Sequence, residues 1–137
     1  MFKYPKVNYI GNKEKIAKWI CDQFPQDAET LFDAFSGGCS LSYEAKCRGL
    51  EVYTNDILEI NYHIANALIK NNQSLLNRQD IDLIFSGEPL QGFMFKNYSE
   101  VYFFPEECKE LDLYRKNIEK LDSEEKKSLA FTLIRRA

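Results

Sequence analysis

The chain has 137 residues, 45% of them hydrophobic and 28% charged, with a formal net charge of −3. That balance supports one ordinary domain with a packed core and excludes a disordered or bulk-basic chain. No apolar run approaches the roughly 20 residues that span a bilayer, and the start, MFKYPKVNYIGNKEK, lacks the apolar core of a secretory signal.

Residues 1–18 hold five lysines and one glutamate, a local excess suited to a polyanion. Residues 22–59 reverse it, with eight acids and two bases. The spacing of Ile16, Trp19, Ile20 and Phe24 predicts an amphipathic helix over 13–24, ended by Pro25. ETLFDAF reads as a short strand of buried type, and SLSYEAKCR as a helix with Ser40 as N-cap and Gly49 at the C′ position. LEVYT is a second strand. EINYHIANALIKNN is a helix with Ile60, Ile64, Ala67 and Leu68 inward. DIDLIFSG fits either a strand or a helix end. Residues 86–105 read as an aromatic loop whose rings pack a small core. Two helices follow, over PEECKELDLYRKNIEKL and SEEKKSLAFTLIRR, with Leu129, Leu133 and Ile134 on an apolar stripe.

The strand–turn–helix–strand from about 30 to 56 is the main functional signal. Gly37 and Gly38 follow a strand and open a helix, where backbone approaches a ligand closely. Asp56 ends the next strand, nineteen residues after Gly37, the spacing at which an acid meets ribose hydroxyls. The run G-G-C-S-L-S lacks the third glycine of a dinucleotide site, and Asp33 before the turn would repel a pyrophosphate. No G-K-[ST] is present for a P-loop. A cationic, phosphate-free nucleoside fits better, and S-adenosylmethionine has that chemistry.

At this point the sequence resembles the Dam-like, D12-class adenine-N6 DNA methyltransferases. DAFSGGCS is similar to their first cofactor motif, D-x-F-x-G-x-G. TNDI resembles the acid-bearing second motif, and NYIGNKEKIAKWI the motif that precedes the first. The resemblance implies an α/β fold: a partial Rossmann-like S-adenosylmethionine-dependent core over residues 1–85, then the start of a helical target-recognition region over 86–137. It implies cofactor contacts from Tyr9, Lys13, Asp33, Phe35, Gly37 and Asp56. Double-stranded DNA would be the partner, met by Asn8, Lys96, Asn97 and Tyr98, with Lys3, Lys6, Lys15, Arg135 and Arg136 as candidate phosphate contacts. Cys39 stands at the third glycine of the motif, which would put its side chain near the methionine end of the cofactor.

One family element has no counterpart. The catalytic [DN]-P-P-[YFW] loop needs adjacent prolines, and those here stand apart, at 5, 25, 89 and 105. The family uses that loop to accept hydrogen bonds from a flipped adenine and to stack on it. The chain alone is therefore expected to lack turnover. It would be a fragment, a truncated product, or one half of a split enzyme of a restriction–modification system, completed by a second chain or by self-association. Without a neighbouring strand, LFDAF would present an apolar edge. The four cysteines form no CxxC pair and His63 stands alone, so no metal set is expected; free thiols fit a reducing, cytoplasmic setting.

Overall fold

The computed structural model describes residues 4–5 and 10–135. It is a mixed helix-and-strand fold. Helix α1 (Ala17–Cys21) is shorter than the pattern over 13–24 predicts, and it turns a different face inward. Ala17 and Cys21 are buried, whereas Ile16 and Trp19 are exposed. The reason is steric: α1 lies against the next helix, α2 (Ser40–Cys47), and small side chains allow the close approach.

Strand β1 (Thr30–Asp33) pairs in parallel with β2 (Glu51–Thr54), in register from Thr30 opposite Glu51 to Asp33 opposite Thr54. Helix α2 makes the crossover. One face of the pair is half-buried, and Val52 on it packs onto a cluster of Cys39, Ile64 and Ile69. The other face is open: Phe32, opposite Tyr53, is 67% exposed. The expectation of a strand buried on both faces is thus corrected; among the described residues helices cover one side only. The start of α2 also differs. Cys39 is the N-cap, in the left-handed region at φ 60°, and Ser40 is the first helical residue. The end of α2 matches the reading. Gly49 takes φ 93°, and its N–H and that of Leu50 bond back to Lys46 and Ala45.

Helix α3 (Glu59–Ala65) continues into a π-helical turn, Asn66–Lys70. Ile64 and Ala67 are buried and Ile60 and Leu68 half-buried, as the periodicity predicts. Lys46 Nζ donates to the carbonyls of Leu68, Ile69 and Asn71 where this helix ends, and burial holds its pKa below the ordinary lysine value.

The ambiguous DIDLIFSG is helix α4 (Arg78–Phe85), opened by reciprocal bonds between Asn77 and Asp80. Lys126 pairs with Asp80 at 3.0 Å. A short helix, α5 (Phe93–Tyr98), interrupts the expected loop. Helices α6 (Pro105–Ile118) and α7 (Glu124–Ile134) stand where predicted. Ile84, Ile118, Leu121 and Ala130 form a second core between α4, α6 and α7. Within it Asn117, 2% exposed, donates to the carbonyls of Ile84 and Ser86 at the end of α4.

Helix α7 also covers α3. His63 Nδ1 lies 3.1 Å from Ser128 Oγ, and its ring packs on Phe131, so His63 acts as a packing residue. The aromatic segment does not form the expected small core: Tyr102 and Phe104 are 74% and 73% exposed. The segment leans on α6 through a polar contact instead. Asp112 of α6 accepts the N–H groups of Gly92, Met94 and Phe95, each at 2.9 Å. Among the described residues no helix is long and apolar enough to cross a membrane.

Candidate cofactor cleft

Both strands of a parallel pair point their carboxyl ends the same way, so the loops that follow them meet. Here they are stitched together. Ser36 N–H donates to Asn55 O at 3.0 Å, Asn55 N–H to Asp33 O at 2.9 Å, and Asn55 Nδ2 to Ala34 O at 3.0 Å. Gly37, at φ 51°, directs its N–H to Asp56 Oδ2 at 2.9 Å. Asp56 Oδ1 accepts from Leu58 N–H at 3.0 Å and from Asn61 Nδ2 at 2.8 Å. The Leu58 N–H, with the Asn61 amide and the Gly37 N–H, holds the Asp56 carboxyl below the ordinary carboxylate range. Asp56 is therefore an anion across physiological pH.

Asp33 sits on the other side of the turn and accepts a hydrogen bond from Ser42 Oγ on α2. The segment before α1 closes a third side. Lys13 N–H donates to Ser40 Oγ at 3.1 Å, while Lys13 Nζ reaches Gly11 O at 3.1 Å. Tyr4 O–H donates to Gly38 O, and burial raises its pKa well above the ordinary tyrosine value.

These walls enclose a cleft of about 530 Å³. It brings together Lys13, Asp33, Phe35, Gly37 and Asp56, with Ile20, Leu41, Ile57 and Leu58 supplying apolar surface. Phe35 and Ile57 stand almost fully exposed at its lip, at 91% and 95%. The donor set suits a nucleoside with a cationic tail: two carboxylates, exposed backbone at a glycine turn, and apolar flanks for a flat base. A pyrophosphate would meet two negative charges. Among the described residues no group of His, Cys, Asp and Glu can hold a metal.

The other expected residues fall elsewhere. Tyr9 and Asn8 lie outside the described residues, as do Lys3, Lys6 and Arg136. Lys96 and Asn97 are exposed on α5, and Tyr98 is half-buried beside Phe93 and Tyr102. None of these three lines the cleft. Cys39 does not project toward the cleft, contrary to the expectation that its side chain would lie near the methionine end of a cofactor. Its side chain is fully buried against Ile64 and Ile69, and burial pushes the thiol up to about 12. The left-handed backbone at Cys39 turns its Cβ into the core, away from the cleft.

Asn61, Ser42 and Asp112 have structural roles that the sequence reading missed. Asn61 carried a signal, a polar residue one turn before the inward Ile64; the other two gave none.

The sequence profile of the D12 class N6 adenine-specific DNA methyltransferases matches residues 9–137. The chain belongs to that family. This D12-class chain is 64% identical over 135 residues to Type II methyltransferase M2.HphI of Haemophilus parahaemolyticus, an alignment that covers 98% of it and 40% of the relative. It is 30% identical over 128 residues to Type II methyltransferase M.CviAII of Paramecium bursaria Chlorella virus 1, covering 85% of it and 39% of the relative. The D12-class chain thus spans about two fifths of the length of the curated relatives it matches. No solved structure matches it.

Proposed function

We propose that the chain is the S-adenosylmethionine-binding portion of a site-specific adenine-N6 DNA methyltransferase of a restriction–modification system, working in the cytoplasm. In this reading residues 1–85 belong to a Rossmann-like core and 86–137 open the target-recognition region. The observation that carries it is the cleft itself. Five residues expected from two separate family motifs and the segment before them, Lys13, Asp33, Phe35, Gly37 and Asp56, line one cavity of about 530 Å³. The family match supports the methyl donor, and the donor set fits it.

When bound, the cofactor supplies an electrophilic methyl group. The chain's own residues bind and orient. Asp56, held ionised, would accept ribose hydroxyls. Asp33 and the Gly37 turn would hold the methionine end, and Phe35 and Ile57 would flank the adenine. Lys13 and Tyr9 would close the amino-terminal side. Lys96, Asn97, Tyr98 and Asn8 would meet double-stranded DNA.

A second reading is binding without turnover by this chain alone. It is favoured by the absence of adjacent prolines from the 137 residues and by the two-fifths coverage of the relatives. The base-accepting loop would then come from further polypeptide, in the same or a second chain.

Calorimetric titration tests the proposal: S-adenosylmethionine into the chain, NAD as control, and Asp56→Ala alongside. Saturable binding of the first ligand only, weakened but still measurable in the variant, is the expected result. A folded chain that ignores S-adenosylmethionine would refute the assignment. Methylation of DNA by the isolated chain would remove the second reading.

A further inference from the structure

The inward face of α3 breaks its own pattern. Its neighbours Ile60, Ile64 and Ala67 are apolar, yet Asn61 beside them is fully buried. Burying an amide in a helix costs free energy unless its groups are bonded, so such a residue signals a specific task. The Asn61 side chain donates to Asp56 Oδ1 at 2.8 Å. Asp56 itself stands in the loop before α3, where one flexible side chain would otherwise choose among rotamers.

Oδ1 and Oδ2 are used unequally. Oδ1 takes the Asn61 amide and the Leu58 N–H, and Oδ2 takes the Gly37 N–H. A carboxylate has about four acceptor sites. With Oδ1 filled from the protein side, the plane of the carboxylate is fixed and Oδ2 keeps an acceptor site beside the glycine turn. Outer partners of this kind set the geometry of the group that touches ligand.

We infer that Asn61 is a positioning residue for ribose recognition: it locks the Asp56 carboxylate so that Oδ2 is presented to a ribose hydroxyl of the cofactor. The inference rests on the proposal that the cleft binds S-adenosylmethionine. It assigns to α3 a role in ligand specificity that none of the expected cofactor residues covers.

The test uses the full 137-residue chain and two probes. One is S-adenosylhomocysteine; the other is its analogue lacking both ribose hydroxyls. Asn61→Leu keeps the branched shape of asparagine, though it is bulkier, and removes the amide; Asn61→Ser, smaller, also removes it and serves where the leucine variant does not fold. Asn61→Gln, which keeps an amide, is the conservative variant. Each Asn61 substitution that removes the amide should weaken S-adenosylhomocysteine about tenfold and leave the dideoxy analogue unchanged, and Asn61→Gln should recover part of the loss. In an Asp56→Ala background, Asn61→Leu should change nothing further, because the two act as one unit. Equal weakening of both probes would overturn the inference and leave Asn61 a packing residue. Additive losses in the double variant would overturn it too. If the unsubstituted chain binds neither probe, the cofactor reading itself fails. If it binds S-adenosylhomocysteine and Asn61→Leu and Asn61→Ser bind it equally well, only the positioning role fails.

Discussion

Asp112 offers the sharpest test of how the segment after α4 is held. Its carboxylate, on a residue only 5% exposed, accepts three backbone N–H groups at 2.9 Å. Hydrogen bonds to a charged acceptor contribute about 1.5–3 kcal/mol each, and the freed N–H groups of Asp112→Ala regain water on an open surface, so the low end applies. The three bonds together contribute about 4.5 kcal/mol. At about 4 °C per kcal/mol for a chain of this size, Tm should fall by ~18 °C. Gly92→Ala strains the same contact from the other side. A Cβ there would stand 2.7 Å from Asp112 Cγ and Oδ1, which displaces the carboxylate and costs about 1–3 kcal/mol. With Asp112 already replaced by alanine the space exists, and Gly92→Ala should cost under ~0.5 kcal/mol. Thermal melts by circular dichroism of the four chains, with amide exchange at Met94 and Phe95, make the cycle. A Tm for Asp112→Ala within about 2 °C of the unsubstituted chain, or additive costs for the pair, would refute the reasoning.

Three further outcomes are expected. The Asp80 carboxyl is held low first by the Asn77 N–H and then by Lys126, so its contribution to stability is complete above the ordinary value of 3.8 and fades as pH falls through its lowered folded value; acid unfolding curves of the unsubstituted chain and Asp80→Asn should therefore stay apart above 3.8 and converge only as pH falls below that lowered value. Asn117→Leu leaves the Ile84 and Ser86 carbonyls without their donor and should cost about 2–4 kcal/mol in urea unfolding, most of it from the buried Ile84 bond. Thiol labelling of the native chain, read by mass spectrometry, should modify exposed Cys47 first, while Cys39, with its thiol pushed up to about 12, stays protected until unfolding.

The elements built on simple periodicity were legible: β2, α3, α6 and α7 stand where the residues place them, and Gly49 ends α2 as its position predicts. The meeting of Asp33, Phe35, Gly37 and Asp56 at one cleft was legible because motif spacing encodes the βαβ crossover. Where reading failed, the deciding contact was long-range. The stripe of Ile16 and Trp19 looked like a core face, yet α2 demanded small residues and selected Ala17 and Cys21. An aromatic-rich run looked like core, yet the Asp112 carboxylate, with a Leu90 N–H to Lys109 O bond and Lys109 over the Phe95 ring, holds it against α6 with several rings exposed. Cys39 looked like an intruder in a glycine motif. Its orientation depends on a left-handed backbone angle that the residue name does not announce.

The stitching of the two loops also sets an order of assembly. The Gly37–Asp56 contact joins residues 19 apart, a short closure that forms readily, so the cleft can take shape within the first half of the chain. The helix that anchors Asp56 is sealed much later, since Ser128 reaches back 65 positions to His63. During synthesis on the ribosome the segment that carries the cleft therefore emerges with its loops able to meet but with one side of α3 still bare. Any small ligand that fits the cleft would meet it at that stage before α7 packs on α3, and would favour the closed loops by mass action.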